Sequence, residues 1–155
     1  MKLMTSWELM TDSVMGGVSK GELKSLRVAG RQATQLSGKV LLDNNGGFLQ
    51  MAFNINSDGS VFDASCYMGL ELDVYGNEEI YDVRIRTSEL NRSWQSYRAS
   101  FLAPSRWKTI QIPFLKFTPN KTKIPLNTSL LRRIGILAIG SVFSANISVA
   151  KVRFV

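Results

Sequence analysis

Apolar and polar residues alternate along most of this chain with a period of two. Phe48, Gln50, Ala52 and Asn54 fall on one side of one run, and Leu49, Met51, Phe53 and Ile55 on the other. Leu70, Leu72 and Val74 alternate with Glu71, Asp73 and Tyr75. Tyr81, Val83 and Ile85 alternate with Asp82, Arg84 and Arg86, and Tyr97, Ala99 and Phe101 with Ser96, Arg98 and Ser100. This period marks strands with one buried face. Trp107, Thr109 and Gln111 alternate with Lys108, Ile110 and Ile112, which leaves the buried side open because the ring and the aliphatics lie opposite each other. Pro113 ends that strand, since it cannot donate to a ladder. Trp7–Met10, Ser25–Ala29 and Thr34–Asp43 read as earlier strands. The apolar run Ile134–Ile139 suits a central strand or one buried on both faces. In Ile147–Phe154 the apolar phase shifts between Val149 and Val152, which predicts a bulge.

Turn signals punctuate these runs at Gly30-Arg31, Asn44–Gly47 and Asn56–Ser60. Phe117–Thr128 reads as a polar, proline-bearing, basic loop. Asp63-Ala-Ser65 predicts a short helical turn with Asp63 as its cap, and Asn127–Arg133 predicts one or two more. There are no heptads, long helical periods, repeats or low-complexity tracts. Nine or ten short strands with one or two helical turns predict an all-β sandwich or barrel. At 155 residues the chain, 1–155, is expected to form a single domain.

Composition narrows the chemistry. The sequence has no histidine, which removes the commonest general base near neutral pH and the commonest zinc ligand. Cys66 is the only cysteine, so no internal disulfide can form, in keeping with a reducing compartment. No apolar run is long enough for a transmembrane helix, and no signal or transit pattern opens the chain, so it reads as cytoplasmic. The net charge is +7. All 12 acids lie in the first 89 residues, whereas the remainder holds 11 of the 19 bases. That excess favours a negatively charged neighbour, whether an acidic protein, a lipid surface or RNA, unless the two halves interleave and mix their charges.

Two Gly-Gly pairs stand out, in Asp12-Ser-Val-Met-Gly-Gly-Val-Ser19 and Asn44-Asn-Gly-Gly-Phe48. Glycine is usually placed where φ is positive or where backbones come close. Asp12, Gly16, Gly17 and Ser19, with Asn45, Gly46 and Gly47, are candidate binding residues that expose backbone N–H groups on loops. The alternative is scaffolding, with Asp12 capping its own loop and Asn-Gly turning a hairpin. Arg84, Arg86 and Arg98 would share one polar face if their strands pair, as a platform for carboxylates or phosphates. The alternative is a solvated face whose arginines answer Glu71, Asp73 and Asp82. Trp94, at a loop-to-strand junction, is the aromatic placed for exposure, while Tyr97 and Trp107 read as core. Asp63, Asp73 and Asp82 do not have the spacing of a cation-binding loop. No nucleotide fingerprint, P-loop or RNA-recognition motif is present.

The two glycine motifs, together with Leu36-Ser-Gly38, Gly69-Leu-x-Leu72, Gly76 before Tyr81, Arg84-x-Arg86-Thr87, Tyr97-x-Ala-x-Phe101, and Trp107 with Ile112-Pro-Phe114, resemble the complex I intermediate-associated protein 30 (CIA30) family across nearly the whole chain. The resemblance implies a jelly-roll β-sandwich of the galactose-binding-domain type. It implies a non-enzymatic, chaperone-like assembly factor with no cofactor and no metal, whose partner is a protein client such as respiratory complex I subunits or another acidic protein. The chain begins almost at Trp7, without the targeting sequence of the mitochondrial relatives, which implies a standalone bacterial-type member with a client of its own. The fold also admits a glycan or other small ligand, and the basic surplus admits peripheral membrane association.

Overall fold

The computed structural model describes residues 1–12, 17–43 and 47–155. Its strands are β1 (Glu8–Thr11), β2 (Lys20–Val28), β3 (Arg31–Val40), β4 (Phe48–Asn54), β5 (Gly69–Tyr75), β6 (Glu79–Thr87), β7 (Ser96–Ala103), β8 (Lys108–Pro113), β9 (Thr118–Asn120), β10 (Leu131–Ile139) and β11 (Phe143–Phe154). They form two antiparallel sheets, a six-stranded one in the order β1-β4-β10-β6-β7-β9 and a five-stranded one in the order β2-β3-β11-β5-β8. The expected all-β sandwich is therefore present. The two last strands are both central. β10 joins β1-β4 to β6-β7-β9, and β11 joins β2-β3 to β5-β8.

The alternating residues pack where the period of two puts them. Leu49, Met51 and Phe53 of β4, Tyr81, Val83 and Ile85 of β6, and Ile134 and Ile136 of β10 face Leu36, Leu72, Val74, Ile147 and Val152 of the other sheet across one apolar core. Tyr81 is buried, and its hydroxyl donates to Asn77 Oδ1 at 2.6 Å and accepts from the Asn146 N–H at 2.9 Å, which ties the two sheets. Burial pushes its phenol up to about 12. Tyr97 is buried as expected and donates to the carbonyl of Ile124 at 2.9 Å.

Several local expectations are refined. The β2–β3 hairpin turns at Ala29-Gly30, one residue earlier than expected, with positive φ at both positions, as a type I′ turn requires. The predicted bulge lies between Val149 and Lys151, where the register of β11 on β5 shifts. A 3-10 turn at Thr128–Leu130 is capped by Asn127, whose side chain accepts from the Ser129 N–H. Asp63 starts no helix; its carboxylate accepts from the Ser65 N–H in a side-chain turn. Trp107 is not core. It lies half-buried against the outer face of the five-stranded sheet, edge-on to Tyr75 and under the Arg31 guanidinium, with its indole N–H on the carbonyl of Val28. The stretch expected to be only a loop contains β9, a three-residue edge strand with Pro119 opposite Tyr97. Among the described residues, no helix is long and apolar enough to cross a membrane.

Ile136 faces Met51 on one side and Val83 on the other and is fully buried. Ile136→Ala is expected to lower the free energy of unfolding by about 2–5 kcal/mol in urea titration, with little change in slope.

Candidate functional site

The residues singled out in the sequence fall into two groups. The first surrounds Asp12, which has no solvent exposure. Its carboxylate accepts from the Ser19 N–H at 3.0 Å, the Ser19 hydroxyl at 2.5 Å, the Gly47 N–H at 2.5 Å and the Phe48 N–H at 3.3 Å. The Ser19 hydroxyl oxygen in turn accepts from the Leu41 N–H at 2.9 Å. The 12–19 segment runs from the six-stranded sheet to the five-stranded one, and the 41–47 segment returns. Asp12 and Ser19 thus fasten both crossings to each other. Gly17 is required by the close approach, because a Cβ there would lie 2.4 Å from Asp12 Cγ. The loop candidates Gly16, Asn45 and Gly46 lie outside the described residues. Burial opposes the charge on Asp12, but the bonds from Ser19, Gly47 and Phe48 outweigh it and hold the carboxyl below its usual range.

The second group lies on the outer face of the six-stranded sheet. β6 and β7 pair, with Arg84 opposite Arg98, and Arg86 lies opposite Arg133 of β10. The three candidate arginines therefore do share a face. One row crosses all six strands as Glu8, Ala52, Gly135, Arg84, Arg98 and Thr118. Gln50 lies over Gly135, where a Cβ would come within 2.3 Å of its amide nitrogen.

The charges on this face are unevenly matched. Asp82, buried, accepts from Arg84 Nη2 at 2.9 Å and also has Arg98 Nε at 3.4 Å. Two guanidiniums thus share one carboxylate. Arg133 reaches Asn54 Oδ1 at 2.8 Å and Glu8 at 3.6 Å. Arg86 points into its own loop, donating to the carbonyls of Arg92, Ser93 and Gln95 at 2.8, 3.0 and 2.5 Å. Burial, with the charges of Arg132 and Arg133, draws its guanidinium below its usual range. Trp94, 63% exposed, projects from the loop that Arg86 anchors, with Arg92 over its ring at 6.0 Å.

Glu71 and Asp73 do not answer these arginines. They lie on the other sheet, where Arg153 pairs with Glu71 and Arg31 with Asp73 at 2.9 Å. Arg98, Arg133 and Arg153 each join a late base to an early acid, so the two halves of the chain do mix their charges. Among the described residues, no three acidic or sulfur ligands converge as a metal site would need, and Asp73 and Asp82 stand on different sheets.

The sequence reading passed over the apolar part of this face. Ile80 (62% exposed) lies opposite Leu102 (50% exposed), and with Ile139 they line a groove of about 630 Å³ that also takes in Asp82, Arg84 and Arg98 and, at the start of β6, Glu78 and Glu79. The signal was available: Ile80 and Leu102 continue the polar phase of their strands, where an apolar residue is out of place.

A family model described as "Complex I intermediate-associated protein 30 (CIA30)" matches residues 1–148. The chain belongs to the CIA30 family. Among curated proteins, no sequence matches significantly. Among solved structures, this CIA30 chain is similar to a family 11 carbohydrate-binding module from Clostridium thermocellum, solved in complex with a β-1,3-1,4-mixed-linked tetrasaccharide. The TM-score is 0.77 at 16% identity, over 99% of this chain and 94% of that one. It is also similar to the family 30 module of a cellulosomal cellulase from the same organism, with a TM-score of 0.70 at 12% identity, over 99% and 92% of the two chains. Identity this low shows the fold, a jelly roll of the galactose-binding-like type.

Replacing Asp12 with alanine leaves the N–H groups of Ser19, Gly47 and Phe48 without their acceptor, and is expected to destabilise the CIA30 domain by about 3 kcal/mol. Because the folded carboxyl is held low, its contribution is complete above the unfolded value of roughly pH 4 and is lost as pH falls through the folded one. Melts of wild type and Asp12→Asn should therefore converge as pH is lowered from 5 towards 2 (roughly the span over which such a group titrates).

Proposed function

We propose that this chain is a non-catalytic module that holds an acidic segment of a protein client on the outer face of its six-stranded sheet. The observation that carries this reading is the shared Asp82 carboxylate: two arginines lean on one acid, with Ile80 and Leu102 exposed beside them. Two guanidiniums at one acid suit a further carboxylate at the Arg84–Arg98 end of the groove, away from Glu78 and Glu79, and neighbouring apolar side chains supply the anchor that charge alone lacks. The family description, which names an association with complex I intermediates, supports a respiratory-complex subunit or intermediate as the client.

A second reading, carbohydrate binding, is favoured by the family 11 module solved with its tetrasaccharide. The face offers Gln50, Asn54 and Ser100 as polar contacts. Among the described residues its strands turn no tyrosine or tryptophan outward, and exposed Trp94 stands at the rim on the loop that Arg86 anchors; the client reading is preferred because no row of rings, on which sugar faces stack, lines the face.

The test is affinity capture from soluble and membrane fractions with wild type and an Arg98→Glu/Ile80→Asp variant. Ile80 is exposed, whereas Arg98→Glu faces buried Asp82, so the variant should melt lower and capture is compared at a temperature where both proteins are folded. Respiratory subunits recovered at least tenfold better by the wild type would support the client reading. Equal capture would move the site off this face. Binding of a mixed-linked glucan by the wild type, with no protein captured, would decide for the second reading.

A further inference from the structure

The open edge of β7 can hold a partner by its backbone. β6 pairs with β7 along its length, from Ala103 to Tyr97. On the other side β9 covers only Ser96–Arg98. Pro119 stands opposite Tyr97 and has no N–H, so the ladder to β9 runs through Ser96 and Arg98. Thr118 Oγ1 reaches the Arg98 carbonyl on the same side, at 3.5 Å. Alternation then turns the N–H and C=O of Ser100 and Leu102 away from β6, towards the open edge. Among the described strands, none pairs with them.

Soluble proteins usually blunt such an edge with lysine, proline or an inward-pointing charge. Three other edges of this sandwich are blunted: β2 carries Lys20 and Lys24, β8 carries Lys108 and Pro113, and β9 carries Pro119, while the four-residue edge strand β1 is short and carries Glu8. The uncovered part of β7 carries Ser100 and Leu102 instead. Across from it lies β8, the edge of the other sheet, and the slot between them has a volume of about 470 Å³. Phe101, Ile110 and Ile112 line it, with Arg98 and Lys116, and no acid does.

We infer that the β7 edge binds an extended acidic segment of a partner protein by strand addition, with main-chain bonds to Ser100 and Leu102, apolar side chains in the slot and carboxylates beside Arg98 and Lys116. This rests on the client being a protein, as proposed above, and specifies how it is held. β9 already occupies the same edge in this manner, and the lining is wholly basic where it is charged.

The test uses the full chain and a fluorescein-labelled decapeptide alternating valine and glutamate, followed by anisotropy. Two further peptides carry N-methyl groups on all the glutamates or on all the valines. In a strand, only one of these sets turns its N–H groups to β7. One methylated peptide should therefore bind like the parent and the other at least tenfold more weakly. Ser100→Pro removes an outward N–H while leaving the β6 ladder intact, so it should weaken the parent peptide at least tenfold with an unchanged melting temperature. The inference is overturned if no peptide binds, if both methylated peptides bind like the parent, or if Ser100→Pro does. In the last two cases, loss of binding in Arg98→Glu would leave a client docked on the face by side chains alone. A dimer that Ser100→Pro dissolves would put a second copy of the chain on this edge and overturn the acidic-partner assignment.

Discussion

Both passages of the early chain between the sheets are held by one carboxylate. Asp12 ends the β1 segment, and its partners come from Ser19, just before β2, and from Gly47 and Phe48, at the start of β4. All of them are neutral donors. No apolar contact could do the same work, because burial is indifferent to direction while a hydrogen bond falls away steeply with angle. The core decides that two sheets pack together. The Asp12 pin, with the Tyr81 hydroxyl between Asn77 and Asn146, helps decide how they sit on each other, and hence which strand ends frame the outer face.

The two outer faces differ in how their charges are matched. On the five-stranded sheet, Asp73 meets Arg31, Arg153 and Thr109, and Glu71 meets Arg153 and Gln111. Trp107 lies beneath Arg31, so that side is closed by its own side chains. On the six-stranded sheet, Arg84 and Arg98 divide Asp82, and Ile80 and Leu102 are exposed beside them. Like charges directly across a strand pair are unfavourable. Arg84 nevertheless stands opposite Arg98, and among the described residues Asp82 is the one acid between them.

Much of the architecture was legible in the sequence, because alternation reports directly on a buried face. β4, β5, β6 and β7 follow from it, and even the bulge in β11 appears as a slip of phase. What stayed hidden depended on pairing between distant strands. β9 could not be read because Pro119 looks like a strand breaker until its missing N–H is seen to face nothing. The arginines could be placed on a common face, but their acids could not be chosen, since Glu71, Asp73 and Asp82 look alike in sequence and stand on different sheets. The glycine motifs were legible as special backbone. The structure shows that Asp12 leaves no room for a Cβ at Gly17, a relation that spacing alone does not reveal. Trp107 misled because a large ring in a strand-like run suggests a core position, whereas here it is the floor for a guanidinium.

The placement of β10 and β11 has a consequence for synthesis on the ribosome. Each sheet is two separate sets of strands until its central member arrives, and β10 and β11 follow all the strands they join. Before residue 139 has emerged, β1-β4 and β6-β7-β9 have nothing to join them, and the arginines of β6 and β7 lack their neighbours on β10. A nascent chain at that stage presents the edges of β4, β6, β3 and β5 that β10 and β11 later cover. Continuity of both sheets thus arrives in two steps, first with β10 and then with β11, rather than growing strand by strand.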